Sequence, residues 1–160
     1  MPLDVLYEDN HLLAVAKPPG VATQGAKAGC DSLVLQAKEY LRQRYHKPGN
    51  VYLGVVSRLD LPVSGVVVFA RTSKAAARLN EQFRNREVEK LYWAWVDGRV
   101  EPSEAECVDW VTKDAGHQRM AVMNRPTVGQ SKEPKKPTAS AQQARLKYKR
   151  LKVSGLASLL

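Results

Sequence analysis

Asp60 is the residue whose surroundings best suit chemistry. It follows an apolar run at residues 51–56, stands two positions from Arg58, and precedes a Pro-x-Ser-Gly turn. A carboxylate on a loop between rigid strands is well placed to meet a substrate. The same pattern is also typical of an aspartate that forms a turn or an ion pair. The local sequence therefore leaves both roles open for Asp60.

The other side chains that often carry chemistry are scattered along the sequence. Cys30 and Cys107 do not form a C-x-x-C pair, and neither lies at zinc-ligand spacing from any of the 3 histidines. We therefore predict no metal site, and we interpret both cysteines as ordinary buried thiols.

Positive charge is concentrated in one part of the sequence. Residues 1–110 contain 14 Lys+Arg and 14 Asp+Glu, whereas residues 111–160 contain 11 Lys+Arg and 2 Asp+Glu. A basic surface attracts a phosphate backbone without specifying its sequence. A solvated lysine-rich loop without a partner explains the same composition equally well. The charge is thus compatible with an RNA partner and does not establish one.

Length and composition indicate an ordinary globular protein. The 160 residues are 44% hydrophobic and 26% charged, which fits a single domain with a hydrophobic core over residues 1–160. No apolar run is long enough to cross a bilayer, and the first residues do not resemble a secretory signal. We predict a cytoplasmic protein without membrane contact. The oligomeric state stays open, with a monomer as the default.

Hydrophobic periodicity predicts an α+β fold. We expect two helices, the first capped by Asp31 or Ser32 and ending near Tyr45, the second opening at Thr72 or Ser73. Apolar runs and period-two alternation predict strands in residues 4–16 (a pair around a turn at Asp9-Asn10), 51–56, 66–70, 91–96, 107–112, 118–123 and 144–149. Residues 124–140 are expected to form an exposed loop. Because successive strands are often tightly connected, the sheet should be largely antiparallel.

Four segments resemble the RluA-type RNA pseudouridine synthases in the expected order. The segment Arg58-Leu59-Asp60-x-x-x-Ser64-Gly65 closely resembles the family signature, in which the aspartate is catalytic. Residues 8–21 resemble the opening strand pair and its Lys-Pro-x-Gly loop, and residues 67–83 resemble the segment that follows the signature. Residues 88–98 resemble the Lys-x-Tyr strand. The resemblance covers essentially the whole chain and implies a pseudouridine synthase-like fold.

This resemblance implies an enzyme that isomerises uridine in structured ribosomal or transfer RNA. The reaction breaks the bond from ribose to N1 and remakes it to C5 of the same base, so no cofactor is expected. Cleaving a glycosidic bond builds positive charge on the sugar, which a carboxylate can stabilise, trap or deprotonate. The resemblance implies that Asp60 is this carboxylate. Whether it acts as a base or as a nucleophile stays open.

The resemblance also implies RNA-contacting residues, since the uridine must leave its stack to reach the carboxylate. Tyr92 is expected to pack against the extruded base as a second catalytic residue. Arg58 is expected to fill the vacated stack or hold a phosphate, with an ion pair to Asp60 or another carboxylate as the alternative. Lys90 and Lys17 are interpreted as phosphate contacts or surface charges. The three tryptophans are interpreted as core or sheet-face residues: Trp93, Trp95 and Trp110.

Two departures from the family pattern qualify the resemblance. Ser57 stands where the family often has histidine, which predicts altered contacts. Residues 154–160 resemble the start of the strand that leads to the family's Gly-Arg-x-His-Gln-Ile-Arg segment, and the sequence stops before that segment. We therefore expect a catalytic domain that is incomplete at its C-terminal end, without a separate N-terminal RNA-binding domain.

Two other functional classes fit part of the sequence. A non-catalytic RNA-binding or RNA-folding module would account for the basic final fifty residues and for the missing segment. A carboxylate-dependent glycosidase usually needs two carboxylates across the bond, and the sequence shows no clear partner for Asp60.

Overall fold

The structure is a computed structural model that describes residues 3–25, 31–113, 120–122 and 141–160. The chain divides into two compact units, Met1–Glu89 and Lys90–Leu160. Across the described ranges, no helix is both long enough and apolar enough to cross a membrane. A single domain over residues 1–160 stays a prediction.

The first unit is built on a four-stranded antiparallel sheet. Its strands are Val5–Glu8 (β1), Leu12–Lys17 (β2), Gly54–Val55 (β3) and Gly65–Ala70 (β4), and their order is β1-β2-β4-β3. The turn between β1 and β2 is held by Asp9, whose carboxylate accepts hydrogen bonds from the backbone N–H groups of His11 and Leu12. Strand β2 pairs with β4 along its whole length, so that Lys17 lies opposite Gly65. The end of β2 and the start of β4 therefore lie side by side.

Two helices, Leu33–Arg44 (α1) and Ser73–Arg84 (α2), complete the first unit. Helix α1 buries Leu33, Ala37 and Leu41, which recur every four residues on one face. Helix α2 begins after Thr72, whose hydroxyl accepts a 3.1 Å hydrogen bond from the Ala75 N–H. The core of the unit joins α1 to the sheet, and its buried members are Leu13, Val15, Leu33, Ala37, Leu41, Val51, Leu53, Val67 and Phe69.

The second unit consists of strands, which form two antiparallel sheets among the residues described. The strands are Trp95–Asp97 (β5), Glu104–Lys113 (β6), Met120–Val122 (β7), Gln142–Lys149 (β8), Lys152–Ser154 (β9) and Ala157–Leu159 (β10). The sheet orders are β5-β10-β9 and β7-β6-β8. Ser158 in β10 is fully buried. Its hydroxyl donates to the Gly98 carbonyl oxygen at 2.8 Å and accepts from the Val100 N–H at 3.1 Å.

These elements confirm the α+β class and the largely antiparallel pairing, although strand lengths differ from the sequence pattern. Residues 51–56 were expected to form one strand, whereas only Gly54–Val55 pairs with β4. The strand expected at residues 91–96 begins at Trp95, and β9 was not predicted. Strand ends depend on where a partner strand stops, and periodicity carries no information about the partner.

Side chains in the second unit are less buried than the alternation of apolar and polar residues predicted. Cys107 was expected to be a buried thiol and is exposed, while Cys30 lies outside the described residues. Trp93 is 83% exposed and precedes β5, so its interpretation as a core or sheet-face residue is wrong, whereas Trp95 and Trp110 do lie in strands. Strand β8 was expected to be half-buried and is almost entirely exposed. Alternation with a period of two shows which side chains share a face of a strand. It does not show that another element covers the apolar face.

A hydrogen-bonded cluster centred on Glu8 joins β1 to α1 and to the start of α2. The Glu8 carboxylate accepts hydrogen bonds from the hydroxyls of Tyr40 at 2.8 Å and Tyr45 at 2.5 Å, and from Arg71 Nη1 at 2.9 Å. Burial acts to raise the pKa of Glu8, but the tyrosine hydroxyls and the charges of Arg71 and Arg44 outweigh it and hold that pKa below its ordinary value. The ionised form of Glu8 therefore stabilises the first unit.

We expect Glu8→Gln to lower the free energy of unfolding by about 2 kcal/mol near neutral pH, because the charge-assisted hydrogen bonds become neutral ones. The pKa of Glu8 is lower in the folded than in the unfolded state. Its stabilisation is thus complete above the unfolded pKa of about 4.3 and disappears as the pH falls through the folded pKa. Urea denaturation at about pH 7 and about pH 3 should show the variant and the wild type converging in acid.

Glu39→Gln provides the matched control for this prediction. Glu39 pairs with Arg42 on the surface of α1, where both side chains are 47% exposed. Such exposed pairs contribute about 0.5 kcal/mol or less. A Glu8→Gln variant no less stable than Glu39→Gln would contradict the role assigned to Glu8.

Candidate active site

Asp60 lies in the loop that connects β3 to β4. Its side chain is exposed and lines a cavity of about 440 Å³ together with Thr23, Gln24 and Arg58. The Val63 N–H donates a 3.0 Å hydrogen bond to the Asp60 carbonyl oxygen, which closes a turn. The cavity volume is within the range of ligand sites, about 300–1,000 Å³. Asp60 is therefore presented from a turn to a space that admits a small ligand or a single base.

The main chain on both sides of Asp60 is hydrogen-bonded to the segment that follows β2. The buried Thr23 hydroxyl donates to the Leu59 carbonyl oxygen at 2.8 Å and accepts from the Leu59 N–H at 3.2 Å. The Gly20 N–H donates to the Leu61 carbonyl oxygen at 2.8 Å. The backbone before and after the aspartate is thus fixed, while its carboxylate remains accessible.

Lys17, the last residue of β2, is a buried cation behind the same loop. It is 1% exposed, and its Nζ donates to the carbonyl oxygens of Pro18 at 3.0 Å, Leu61 at 3.2 Å and Val63 at 2.6 Å. Burial lowers the pKa of the Lys17 ammonium, and the charge of Asp60 partly opposes that effect. A phosphate cannot approach an amino group placed in this way. The interpretation of Lys17 as a phosphate contact or surface charge is therefore wrong.

The sequence carries a signal for the buried position of Lys17 and none for Thr23. Leu13, Val15 and Lys17 alternate along β2, and all three lie on the face that the core covers. That alternation alone would have placed the lysine inside. Thr23 has no comparable pattern, because its partner is the main chain of a residue 36 positions away.

Gly65 allows the chain to turn from the loop into β4. Its φ of +147° lies in the region that side chains avoid, and a Cβ at this position would lie 3.3 Å from Leu59 Cδ1. The glycine of the signature segment thus has a steric role. Because it lacks a side chain, the loop can lie close to the start of β4.

Arg58 lies on the same loop and lines the same cavity as Asp60. Its side chain is exposed. Among the ion pairs that join described residues, none links Arg58 to Asp60. Arg58 is therefore near enough to the cavity for a contact with a ligand bound there.

Tyr92 and Lys90 belong to the second unit and precede β5. Both side chains are exposed, that of Tyr92 to 59%. Two residues after Tyr92, the backbone of Ala94 is fixed by a pair of hydrogen bonds with Leu160, at 3.1 and 2.9 Å. Asp60 and Arg58 are thus brought together in the first unit, whereas Tyr92 and Lys90 lie in the second. The roles of all four stay predictions.

The basic residues of β8 lie opposite acidic residues of β6. Lys147 is paired in register with Glu106 and Lys149 with Glu104, and Arg145 Nη1 lies 3.5 Å from the Glu106 carboxylate. Opposite charges directly across a pair of strands attract each other. The composition of the last fifty residues therefore overstates the net positive charge that β8 presents to a partner.

A second cavity, of about 450 Å³, lies at the other end of β2 and β4, where Asp9, Leu12 and Arg78 help to line it. Hydrogen bonds from the backbone N–H groups of His11 and Leu12 lower the pKa of Asp9 and hold its carboxylate in the β1-β2 turn. These backbone hydrogen bonds give the Asp9 carboxylate a structural role in the turn. The cavity beside Asp60 is therefore the better candidate for an active site.

Comparison with known proteins identifies a family with this sequence pattern. A sequence profile described as RNA pseudouridylate synthase matches residues 11–156. Ribosomal large subunit pseudouridine synthase D of Zymomonas mobilis is 34% identical over 128 residues, which cover 78% of this chain and 40% of that protein. The dual-specificity RNA pseudouridine synthase RluA of Vibrio cholerae is 32% identical over 115 residues, covering 68% and 43% respectively. The chain thus spans less than half the length of these two curated relatives.

A solved structure shares the fold. Human RNA pseudouridylate synthase domain containing 4 matches with a TM-score of 0.77 at 23% identity, covering 98% of this chain and 56% of that chain. At this identity the likeness bears on the fold alone, and it confirms the expected pseudouridine synthase-like fold.

Proposed function

The chain belongs to the RNA pseudouridine synthase family of the RluA type, and on this premise we propose that the protein converts uridine to pseudouridine in structured ribosomal or transfer RNA, with Asp60 as its catalytic carboxylate. One observation carries the assignment of the site. The exposed Asp60 side chain lines a cavity of about 440 Å³, on a loop whose main chain is hydrogen-bonded on both sides of the aspartate.

The chemistry requires a positioned carboxylate and a held base. The C1′–N1 bond breaks, and positive charge develops on the ribose. Asp60 stabilises this charge, bonds to the ribose as a nucleophile or removes a proton from it as a base. The detached uracil turns within the site, and C1′ bonds to C5. The proton on C5 then leaves, and N1 gains one. Because the bond is only moved within one nucleotide, the reaction needs no redox partner and no group donor, so we propose that no cofactor takes part.

The remaining site residues are proposed to act on the RNA. Tyr92 packs against the extruded base, in keeping with the resemblance of residues 88–98 to the family's Lys-x-Tyr strand. Arg58 fills the vacated stack or holds a phosphate at the cavity rim, and Lys90 contacts a phosphate. A cytoplasmic location and a monomeric state stay predictions.

RNA labelled with tritium at C5 of uridine tests the proposed function. The full-length protein should release the label into water as pseudouridine forms, because the C5 hydrogen is displaced. RNA labelled at C6 is the matched control, since that hydrogen stays on the ring. Tight, salt-dependent RNA binding without release of the C5 label would favour the non-catalytic RNA-binding or RNA-folding module instead.

Arg58→Gln is expected to raise the Kd for RNA by about tenfold and to reduce the salt dependence of binding by about one counterion, since one cation beside the cavity is lost. Filter binding over a range of salt concentrations measures both effects. Arg84→Gln, in the last turn of α2, is the matched control because it removes an exposed arginine away from the cavity. Equal affinities for the two variants would rule out the RNA contact proposed for Arg58.

A further inference from the structure

We infer that the cavity at the start of β2 is a second RNA-binding site, which takes one unpaired nucleotide of the RNA that presents its uridine to Asp60. The inference rests on the proposed function and extends it to a part of the first unit away from the reacting carboxylate. The cavity has a volume of about 450 Å³, which is sufficient for a base.

Two neighbouring rows of α2 side chains line this cavity. Lys74, Arg78 and Gln82 recur every four residues and form a polar row. Ala75 and Leu79 form an apolar row beside it. The cavity thus combines an apolar surface for a base with cations for its phosphate and an amide that can both donate and accept hydrogen bonds.

His11 adds an aromatic ring to the same cavity. Its main chain is fixed on both sides, because the His11 N–H donates to the Asp9 carboxylate at 2.7 Å and its carbonyl oxygen accepts from the Arg71 N–H at 2.8 Å. The His11 side chain itself is exposed. Unpaired RNA bases stack on aromatic side chains, including histidine. A base that enters the cavity therefore has a ring to stack on.

The cations of the cavity lie where helix stability favours the opposite charge. Lys74 is in the first turn of α2, which holds no acidic residue, and the helix dipole disfavours a cation there. Arg78 follows four residues later, and like charges at this spacing destabilise a helix. Among the ion pairs that join described residues, none involves Lys74 or Arg78. A phosphate bound between the two side chains would relieve both effects.

Asp9 is the one acidic side chain among the described residues that line the cavity. Its carboxylate accepts hydrogen bonds from the backbone N–H groups of His11 and Leu12 and from the Tyr7 hydroxyl. The Asp9 charge is therefore satisfied within the β1-β2 turn. The two cations of α2 remain for a ligand, and their charge is complementary to a phosphate.

This cavity and Asp60 lie at opposite ends of the same pair of strands. Strand β2 runs from Leu12, which lines the cavity, to Lys17, which is bonded to the Asp60 loop. Five steps along a strand measure roughly 17 Å, which corresponds to about five steps along a helical nucleic acid strand. The two sites are thus close enough for one structured RNA to contact both.

Lys74→Gln combined with Arg78→Gln tests the inference in the full-length protein, with the C5-labelled RNA of the tritium assay as the probe. The Kd for RNA should rise by roughly 20-fold and its salt dependence should fall by about two counterions, because two phosphate contacts are lost. At saturating RNA, kcat should stay within about threefold of the wild type, since neither residue lines the Asp60 cavity. The Tm should be unchanged or higher, because repulsion within α2 is relieved.

Substitutions of His11 separate stacking from charge. His11→Ala removes the ring and should raise the Kd for RNA by roughly tenfold, the effect of one lost stacking contact. His11→Phe keeps an aromatic face and should restore the wild-type Kd. A His11→Phe variant that binds RNA as weakly as His11→Ala would show that no base stacks in this cavity.

Arg84→Gln combined with Arg86→Gln is the matched control. Both arginines are exposed at the other end of α2, and neither lines the cavity. The Kd and its salt dependence should therefore stay within about twofold of the wild type.

The inference is overturned if the two double variants weaken RNA binding equally. Unchanged affinity after loss of Lys74 and Arg78 would also overturn it, and would favour an acidic peptide as the ligand of this cavity. Wild-type protein that binds RNA without releasing tritium would contradict the function proposed for Asp60. In that case the comparison of the two double variants would still decide whether the second site binds RNA.

Discussion

Asp60→Asn is expected to abolish tritium release from C5-labelled uridine, with a fall in rate on the order of 10⁴-fold or more. Asparagine keeps the size and shape of the side chain, but its amide can neither form a covalent ester with the ribose nor accept a proton. RNA binding should be unchanged or slightly tighter, because a negative charge near phosphates is removed. Stability should change by less than about 0.5 kcal/mol, since the side chain is exposed.

Two further substitutions sharpen this prediction. Asp60→Glu keeps the carboxylate and moves it by one methylene group, so its activity should lie between that of Asp60→Asn and the wild type. Asp4→Asn removes another exposed carboxylate of the first unit and should leave the rate unchanged. Release by Asp60→Asn within about tenfold of the wild type would exclude Asp60 as the catalytic carboxylate.

The second largest effect is expected for Tyr92→Ala, with a fall in kcat/KM of roughly 100-fold. Stacking of a base on an aromatic ring contributes about 1–3 kcal/mol, and the hydroxyl is lost as well. Because Tyr92 is 59% exposed, its truncation should not unfold the second unit. Tyr92→Phe keeps the ring and should restore the KM for RNA, so that any remaining deficit in kcat measures the contribution of the hydroxyl.

Trp93→Ala is the control for the tyrosine variants. Trp93 is the adjacent aromatic residue and is 83% exposed, yet no family role is expected for it. We expect its activity within about threefold of the wild type. A larger loss for Trp93→Ala than for Tyr92→Ala would show that the assignment of the base-stacking residue is wrong.

Local signals predicted the elements that depend on local forces. The turn at Asp9 was correctly placed, because aspartate readily bonds to backbone N–H groups two and three residues ahead. Helix α2 was correctly placed by Thr72, which caps it, and by the spacing of its apolar residues. The loop that carries Asp60 was also foreseen, since it lies between two apolar runs. In each case the deciding interaction spans only a few residues.

Features that depend on distant partners were not predictable in this way. The β3 strand is shorter than its apolar run because pairing with β4 is limited to Gly54 and Val55. The anchoring of Leu59 by Thr23 joins segments 36 residues apart, and no periodicity reports such a contact. Charge counts also omit partners: the positive charge of β8 is apparent from composition, whereas its pairing with Glu104 and Glu106 depends on strand register.

For Lys17, residue type and position in the strand predict opposite surroundings. Lysine is almost never fully buried, so a surface role was the natural interpretation. Its place in the alternating row with Leu13 and Val15 indicated the opposite. A lysine at a buried position of a strand needs hydrogen-bond acceptors for its ammonium group. For Lys17, two of these acceptors are carbonyl groups close to the candidate catalytic residue.

The way the Asp60 loop is held has a consequence for how the surface around the cavity can vary. Lys17, Gly20 and Thr23 all bind main-chain atoms of the loop, which every amino acid provides. The side chains of Leu61 and Val63 point outward and are 54% and 36% exposed. Substitution of these outward side chains can therefore change the surface around the cavity, while the hydrogen bonds that hold the main chain beside Asp60 stay the same.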